Sequence, residues 1–288
     1  MDIISNIADL RQLLRNHQRI AFVPTMGNLH AGHCRLAEIA KQHAECVVVS
    51  IFVNPLQFGK NEDLASYPRT LQEDCEKLKK IGVNYVFAPT NQEIYPDFDG
   101  EHLHQTMTIT PPPIANELCG ASRPGHFAGV ATVVMKLFNI VQPNVAIFGK
   151  KDFQQLFVIR ELVRQFDLPI EIIGGETIRE ESGLAMSSRN GYLSAADKLE
   201  APRLNKVLKL VIDAMQKEDG HISVKKMCEF EQTSTNYLTQ LGWQVDYISI
   251  RSASTLKPAT PDDVKLVVLA AAKLGNTRLI DNMEFHLD

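Results

Sequence analysis

The sequence predicts an α/β protein in which a doubly wound parallel sheet is followed by a smaller C-terminal α+β domain. Short apolar runs alternate with amphipathic runs through residues 1–175, and this alternation is typical of repeated strand–helix units. Several of the apolar runs are almost unbroken, as expected for parallel strands that are buried on both faces. The pattern changes after Gly174-Gly175. We therefore predict one domain over residues 1–175 and a second over residues 176–288.

The elements of the first domain are predicted from hydrophobic periodicity. The expected helices cover residues 6–17, 30–44, 70–81, 127–141 and 153–166, and the expected strands cover residues 20–23, 46–53, 83–88, 144–148 and 169–173. Pro24 is expected to end the first strand, and Gly82 the third helix. Residues 89–125 contain the run Pro111-Pro112-Pro113. We expect them to form an irregular excursion near the site, a lid with a short strand over residues 102–110.

The second domain shows helices first and strands afterwards. Ser194, with Asp197 three residues later, resembles a capping box and is expected to begin a helix that runs to about residue 217. A second helix is predicted over residues 224–241. Strands predicted over residues 244–250, 265–271 and 278–280 would form a small antiparallel sheet.

Composition excludes several classes of protein. The chain has 288 residues, of which 44% are apolar and 22% charged, and its net charge is −4. These values are ordinary for a soluble protein and give no sign of binding to nucleic acid or to a membrane surface. No run of eighteen apolar residues and no signal-peptide core is present. The five cysteines are scattered without a CxxC pair, which favours a reducing cytoplasm over a disulfide framework or a zinc site.

The most informative stretch is IAFVPTMGNLHAGH, residues 20–33. It predicts a strand, a tight turn and the first turn of a helix that carries His30 and His33 on one face. A helix N-terminus offers free N–H groups and a positive dipole end, both of which suit phosphate. Either histidine alone is more simply a surface or packing residue. The pair, with Gly32 between them, favours phosphate binding and resembles the signature of HIGH-type nucleotidyltransferases.

Three more stretches offer polar groups, and each also has a structural explanation. In FGKKDFQQ, Gly149 permits close approach of a ligand and one lysine could meet phosphate, although both lysines could simply be solvated. In MSSRN, residues 186–190, two hydroxyls and Arg189 could clamp a polyphosphate, or the segment could be an ordinary turn.

The third stretch is NPLQF, residues 54–58, in which Asn54 and Gln57 could bind a hydroxyl-bearing or carboxylate substrate or could cap their own loop. On the following helix, Glu73 reads as a surface residue. Asp74 is the better candidate to hold Mg²⁺ through water, although it could equally lie on a surface face of the helix.

Taken together, the stretches PTMGNLHAGH, SIFVNPLQFG, YPRTLQED, RPGHFAGVATVV, FGKKDFQQL and MSSRNGYLS occur in this order. The set closely resembles the pantoate–β-alanine ligase family of the HIGH-type nucleotidyltransferases. The resemblance runs from about residue 22 to residue 193. It implies a Rossmann-like sheet with a small C-terminal domain covering the site, and a homodimer formed through the NPLQF region; the cysteine pattern predicts a cytoplasmic location.

The resemblance implies a two-step ligation. ATP and (R)-pantoate, with Mg²⁺, would give pantoyl adenylate and pyrophosphate, and β-alanine would then give pantothenate and AMP. His30 and His33 would contact the phosphates, with His33 as proton donor, and Gln57 and Gln155 would hold pantoate. The remaining candidates are assigned to the triphosphate clamp (Lys151, Ser187, Ser188, Arg189), to the nucleotide pocket (Met26, Gly27, Gly149, Asp152, Ile178, Met186), to pantoate or β-alanine (Asn54, Tyr67) and to Mg²⁺ (Asp74).

Two other functions remain open from the sequence. Another HIGH-type enzyme could adenylylate a phosphate group, but it should carry more basic residues at the acceptor site and would need no Gln57–Gln155 pair. A nucleotide-binding regulator could keep the cleft without catalysis, yet the histidine pair, Lys151, Ser187 and Arg189 are all present. Release of pyrophosphate from ATP only when pantoate is present, before β-alanine is added, would separate these functions.

Overall fold

The computed structural model describes residues 1–59, 64–218 and 222–287. The chain divides into two compact units. Unit 1 comprises Met1–Ala115, Arg123–Lys150 and Gln155–Glu176, and unit 2 comprises Asn116–Ser122, Lys151–Gln154 and Thr177–Asp288. Two short segments that precede residue 177, Asn116–Ser122 and Lys151–Gln154, therefore belong to the C-terminal unit. None of the helices in the described ranges has the length and apolar character needed to cross a membrane.

Unit 1 is built on a six-stranded sheet in which the paired strands run parallel. Its strands are β1 (Asp2–Ile4), β2 (Ile20–Thr25), β3 (Cys46–Ile51), β4 (Tyr85–Phe87), β5 (Val145–Gly149) and β6 (Glu171–Gly175). They lie in the order β1-β4-β3-β2-β5-β6. The chain thus extends the sheet outward from β2 in one direction and then returns to extend it from β5 in the other. This confirms the predicted doubly wound sheet.

Helices cover both faces of this sheet. They are α1 (Ile7–Leu14), α2 (Ala31–His43), α3 (Leu71–Ile81), α4 (Asn91–Ile94), α6 (His126–Val141) and α7 (Phe153–Gln165). Successive strand residues point to opposite faces. Phe22 and Val48 accordingly enter a core shared with α1, α6 and α7, whereas Ala21 and Val47 enter a second core shared with α2 and α3.

Two features of the sheet were not predicted correctly. The edge strand β1 was missed, because three residues are too few to show a period; it pairs with β4. Pro24 does not end β2, where it lies opposite Ser50 of β3. The pairing of β2 with β5 covers Ala21 and Phe22, so at Pro24 the absent N–H interrupts no bond to β5.

The excursion between β4 and α6 contains no strand over residues 102–110, which corrects the prediction made for that segment. The backbone there is extended without a ladder partner, and the N–H of Ile109 instead donates to Thr132 Oγ1 at 2.9 Å. The excursion includes α4, a 3₁₀ turn at Pro113–Asn116 and α5 (Cys119–Ser122). Its α5 segment belongs to unit 2.

Unit 2 contains an antiparallel sheet of β7 (Gln244–Ser252), β8 (Lys265–Leu274) and β9 (Thr277–His286), as predicted. Helices α8 (Ala195–Glu200), α9 (Arg203–Gln216) and α10 (Val224–Gln240) accompany it. The predicted capping box of Ser194 and Asp197 is present at the start of α8. The single helix expected over residues 194–217 is interrupted, because Pro202 lacks the N–H that would continue it and instead precedes α9.

Candidate functional site

The predicted site residues of unit 1 lie after the carboxyl ends of three neighbouring strands, β3, β2 and β5. Met26 and Gly27 follow β2, Asn54 and Gln57 follow β3, and Gly149 is the last residue of β5. The order of strands reverses between β2 and β5. Ligands of open α/β sheets bind at such a switch point, outside the carboxyl ends of the strands.

The two histidines form a reciprocal cap at the N-terminus of α2. His30 is the N-cap residue, and its Nδ1 accepts the N–H of Gly32 at 3.1 Å. The N–H of His30 in turn donates to Nδ1 of His33 at 3.3 Å, and the two ring centroids are 4.1 Å apart. Because each Nδ1 accepts a backbone proton, each neutral ring carries its own proton on Nε2. The helix therefore begins one residue later than predicted.

Gly32 is required by this cap. A Cβ at residue 32 would lie 2.8 Å from His30 Cε1 and 2.9 Å from His30 Nδ1, so any larger residue would displace the imidazole. The spacing H-x-G-H thus has a local structural cause in addition to any ligand.

Asp74 does not form the predicted Mg²⁺ site. Its side chain is fully buried on α3, and its two oxygens accept the N–H groups of Asn28 and Leu29, each at 2.8 Å. The hydroxyl of Thr70 donates to Oδ2 at 3.1 Å, and Lys77 Nζ lies 3.5 Å from Oδ1. The carboxylate fixes the turn that precedes His30. Its neighbour Glu73 is exposed, as expected of a surface residue.

No other carboxylate cluster replaces it. Among residues 1–59, 64–218 and 222–287, no group of three or more His, Cys, Asp and Glu side chains is arranged to hold a metal ion. Mg²⁺ in ATP-dependent enzymes is usually held by one or two carboxylates together with phosphate oxygens and water, so Mg²⁺ stays a prediction.

Asn54 is a structural residue of the NPLQF turn. It is 1% exposed. Its Oδ1 accepts the hydroxyl proton of Tyr95 at 2.6 Å and the N–H of Leu56 at 3.3 Å. Its Nδ2 donates to Gln57 Oε1 at 3.0 Å and to the carbonyl of Gly129 at 3.3 Å. These four bonds use the full capacity of the amide, so we withdraw the predicted substrate contact of Asn54.

Tyr95 keeps its proton in this arrangement, because burial raises the pKa of its phenol well above the usual value. It therefore remains a donor to Asn54 throughout the neutral pH range.

Gln57 is held at both ends of its side-chain amide. Oε1 accepts from Asn54, and Nε2 donates to Met26 Sδ at 3.3 Å. Residues 55–57 form a 3₁₀ turn within the predicted polar-capped loop. Tyr67, also nearly buried, packs its ring edge-on against Phe58 with the centroids 5.8 Å apart. Two predicted pantoate-site residues, Gln57 and Tyr67, thus lie on or against one turn.

Gly129 lets α6 approach that turn closely. A Cβ at residue 129 would lie 2.3 Å from the carbonyl oxygen of Leu56 and 2.8 Å from Cα of Gln57. These neighbours are backbone atoms, which cannot move aside as the end of a flexible side chain can. No larger residue therefore fits at position 129 without moving the turn.

We expect Gly129→Ala to destabilise the protein by about 2 kcal/mol, although alanine normally favours a helix interior over glycine by about 1 kcal/mol. Urea denaturation would measure the loss. Gly191→Ala is the matched control, because a Cβ there meets nothing within 4 Å. Equal stability of the two variants would contradict the close packing of α6 on the turn.

The remaining predicted residue of unit 1, Gln155, lies half-buried in the first turn of α7. Nearby, Lys150 pairs with Glu176 at 2.6 Å. The Lys150 ammonium is thus engaged by a carboxylate of the same unit.

In unit 2, Lys151 is anchored through its backbone. Its carbonyl oxygen accepts from Nδ2 of Asn282, a buried residue of β9, at 2.8 Å. The Lys151 ammonium lies 3.8 Å from the exposed carboxylate of Asp152. Next to Asn282, the carboxylate of Asp281 accepts hydrogen bonds from both terminal nitrogens of Arg179, at 2.8 and 2.9 Å.

The same unit holds the MSSRN segment in a defined shape. The N–H of Met186 donates to the carbonyl of Ile178 at 2.9 Å, which pairs two residues predicted for the nucleotide pocket. Ser187 caps a 3₁₀ turn by accepting the N–H of Arg189 at 3.2 Å. Ser188 and Arg189 lie half-exposed in this turn. The side-chain Nδ2 of Asn190 stabilises the turn by donating to Glu180 Oε1 and to the carbonyl of Ala185, both at 3.1 Å.

Sequence reasoning assigned no role to His126, Gly129 and Asn282, which all contact predicted site residues. The RPGHFAG stretch, residues 123–129, was a usable signal for two of them. Asn282 had no such sequence signal, because no motif in the surrounding strand distinguishes it.

Comparison with known proteins gives one consistent result. A family model described as "Pantoate-beta-alanine ligase" matches residues 2–284. The chain is 65% identical, over 285 residues that cover 99% of both proteins, to a pantothenate synthetase of Methylobacillus flagellatus. It is similar to the crystal structure of the pantothenate synthetase of Thermus thermophilus, with a TM-score of 0.90 and 40% identity over 98% of this chain and 99% of that one.

A second solved structure is the pantoate-beta-alanine ligase of Francisella tularensis, which was crystallised with beta-gamma ATP and beta-alanine. The chain is 35% identical to it, with a TM-score of 0.76, over 98% of this chain and 97% of that one.

Proposed function

The chain belongs to the pantoate–β-alanine ligase family, and from that premise we propose that it joins (R)-pantoate to β-alanine through a pantoyl-adenylate intermediate. As a member it is a ligase, and the ATP-bound relative supports an ATP-dependent reaction. The observation that carries the proposal is the histidine cap of α2, because it places the neutral tautomer of both rings, with the proton on Nε2, at a helix N-terminus that suits phosphate.

In the first step, a carboxylate oxygen of pantoate attacks the α-phosphorus of ATP. The bond from that phosphorus to the bridging oxygen breaks, and pyrophosphate leaves with the electron pair. Negative charge grows on phosphate oxygens, so positioned cations and N–H donors provide the catalysis. We propose that His30, His33, Lys151, Ser187, Ser188 and Arg189 provide these groups.

In the second step, the amine of β-alanine attacks the activated acyl carbon, AMP leaves and the amine loses a proton. We propose that Gln57 and Gln155 hold pantoate throughout and that Gln57 also faces β-alanine, so that proximity supplies much of the acceleration. Tyr67 would line the pantoate site beside Gln57. The nucleotide would be bound by Met26, Gly27, Gly149, Asp152, Ile178 and Met186.

Mg²⁺ stays a prediction, as the ion that accompanies ATP. No step proposed here depends on a metal held by the protein, because Asp74 is committed to the backbone of residues 28 and 29. A homodimer and a cytoplasmic location also stay predictions.

The deciding experiment is exchange of labelled pyrophosphate into ATP. We expect exchange when pantoate is present and β-alanine absent, and none without pantoate. Exchange without pantoate would indicate a different acceptor. Exchange that requires β-alanine would contradict the acyl-adenylate order, and absence of any exchange with ATP still bound would indicate a nucleotide-binding regulator.

We expect Gln57→Ala to raise the pantoate KM about 10- to 100-fold, the usual effect of losing hydrogen bonds to a charged group, and to leave the ATP KM within about twofold. Steady-state kinetics with each substrate varied would measure both. Gln92→Ala, on the surface, is the control. A change confined to the ATP KM would remove Gln57 from the pantoate site.

A further inference from the structure

His126, at the start of α6, is placed to control the backbone of Gln57. The imidazole is 8% exposed. Its Nδ1 lies 2.9 Å from the carbonyl oxygen of Gln57, and its Nε2 lies 2.9 Å from Nη1 of Arg123. The contacts connect the RPGH segment directly to the 3₁₀ turn that carries Gln57.

The partners fix the protonation state of the ring. A carbonyl oxygen can only accept a hydrogen bond, so Nδ1 must carry the proton. A guanidinium can only donate, so Nε2 must be the acceptor. His126 is therefore neutral, with its proton on Nδ1. His30 and His33 have the opposite tautomer, because there Nδ1 accepts.

This contact completes the support of Gln57. Its side-chain amide is held by Asn54 and Met26, and its Cα lies against Gly129. His126 supplies the one hydrogen bond to the Gln57 carbonyl that the described contacts include. A ring that turned, or that moved its proton from Nδ1 to Nε2, would withdraw this donor from the Gln57 carbonyl and weaken the support of the turn.

We propose that His126, locked as the Nδ1–H tautomer by Arg123, is a positioning residue that sets the orientation of Gln57 toward pantoate and β-alanine. The inference rests on the proposed role of Gln57 as a ligand of both substrates. His126 itself makes no substrate contact in this proposal.

The tautomer can be tested without activity. In ¹⁵N-labelled protein, imidazole ¹H–¹⁵N correlation spectra assigned by His126→Asn should show His126 protonated at Nδ1 alone. A proton on Nε2, or on both nitrogens, at neutral pH would overturn the proposal, because neither state fits the two partners.

Two near-isosteric variants test the function. Asparagine places its amide nitrogen near the position of Nδ1, so His126→Asn keeps a donor for the Gln57 carbonyl. Glutamine reaches the position of Nε2, so His126→Gln keeps a partner for Arg123 and loses that donor. We expect His126→Gln to raise the KM of pantoate and of β-alanine about tenfold, and His126→Asn to remain within about threefold of wild type. Equal effects of the two variants, or a loss confined to kcat, would overturn the positioning role.

Combining His126→Gln with Gln57→Ala separates the two proposals. If His126 acts through the Gln57 side chain, then His126→Gln should raise the pantoate KM no further in the Gln57→Ala background. Multiplicative effects would overturn the positioning role and leave the role of Gln57 intact. An unchanged pantoate KM in Gln57→Ala alone would instead overturn the proposed pantoate site and, with it, the purpose assigned to His126.

Discussion

Lys151→Ala should lower the rate of pantoate-dependent pyrophosphate formation about 10²- to 10³-fold, the usual effect of removing one preorganised group that stabilises transition-state charge. The Lys151 side chain is 18% exposed, and the backbone carbonyl of Lys151 is held by Asn282. The backbone of Lys151 is therefore held by the protein itself, and burial restricts the space open to its side chain. Single-turnover measurement of pyrophosphate at saturating ATP and pantoate would give the rate, and we expect the pantoate KM to change far less.

Lys150→Ala is the matched control for this variant. The two lysines are adjacent in sequence and carry the same charge, but the ammonium of Lys150 is paired with Glu176 at 2.6 Å. We expect its loss to change the rate by less than about threefold. If both variants lose activity equally, general positive charge near this turn is responsible and the specific role of Lys151 is wrong.

Asp74→Ala should cost about 3 kcal/mol of folding stability, because two backbone N–H groups lose a charged acceptor that is itself fully buried. The N–H of Leu29 is in a residue that is 3% exposed, so solvent cannot replace the carboxylate. Urea denaturation would measure the loss. The single tryptophan, Trp243, is buried in unit 2 and its fluorescence reports on that unit. Circular dichroism should therefore be recorded as well, to report on unit 1.

Glu73→Ala provides the comparison for this effect. Glu73 is the preceding residue on α3 and is exposed, so its removal should change stability by no more than about 0.5 kcal/mol. The conservative variant Asp74→Asn decides between the structural and the metal-binding roles. A raised requirement for Mg²⁺ at unchanged stability would restore Asp74 as a metal ligand.

The fold followed from local sequence patterns wherever those patterns were long. Buried parallel strands and amphipathic helices of eight or more residues leave a period that sequence alone shows. The edge strand β1 has three residues and depends on pairing with β4, about eighty positions away. Pro202 was a local signal for the break between α8 and α9, but the continuous hydrophobic periodicity on either side of it favoured a single helix. The segment at residues 102–110 had strand composition but no partner.

The site was less predictable, because a polar side chain looks the same in sequence whether it faces a substrate or the protein. Asn54 is committed to Tyr95 and Gly129, which are 41 and 75 residues away in the chain. Asp74 is committed to a turn about 45 residues earlier. Neither pairing can be recognised from the local sequence. The spacing H-x-G-H can be recognised, because the cap of α2 is formed within four consecutive residues.

The interleaved composition of the two units limits how the protein can be dissected. Tyr247 on β7 lies 3.1 Å from Cys119 Sγ, and Arg251 on the same strand pairs with Glu117 at 2.6 Å. A recombinant fragment that starts at residue 177 would lack both partners, together with Lys151–Gln154. Cutting the polypeptide once therefore cannot liberate an intact C-terminal half, and domain-swapped chimaeras with a relative would have to exchange three separate stretches of chain.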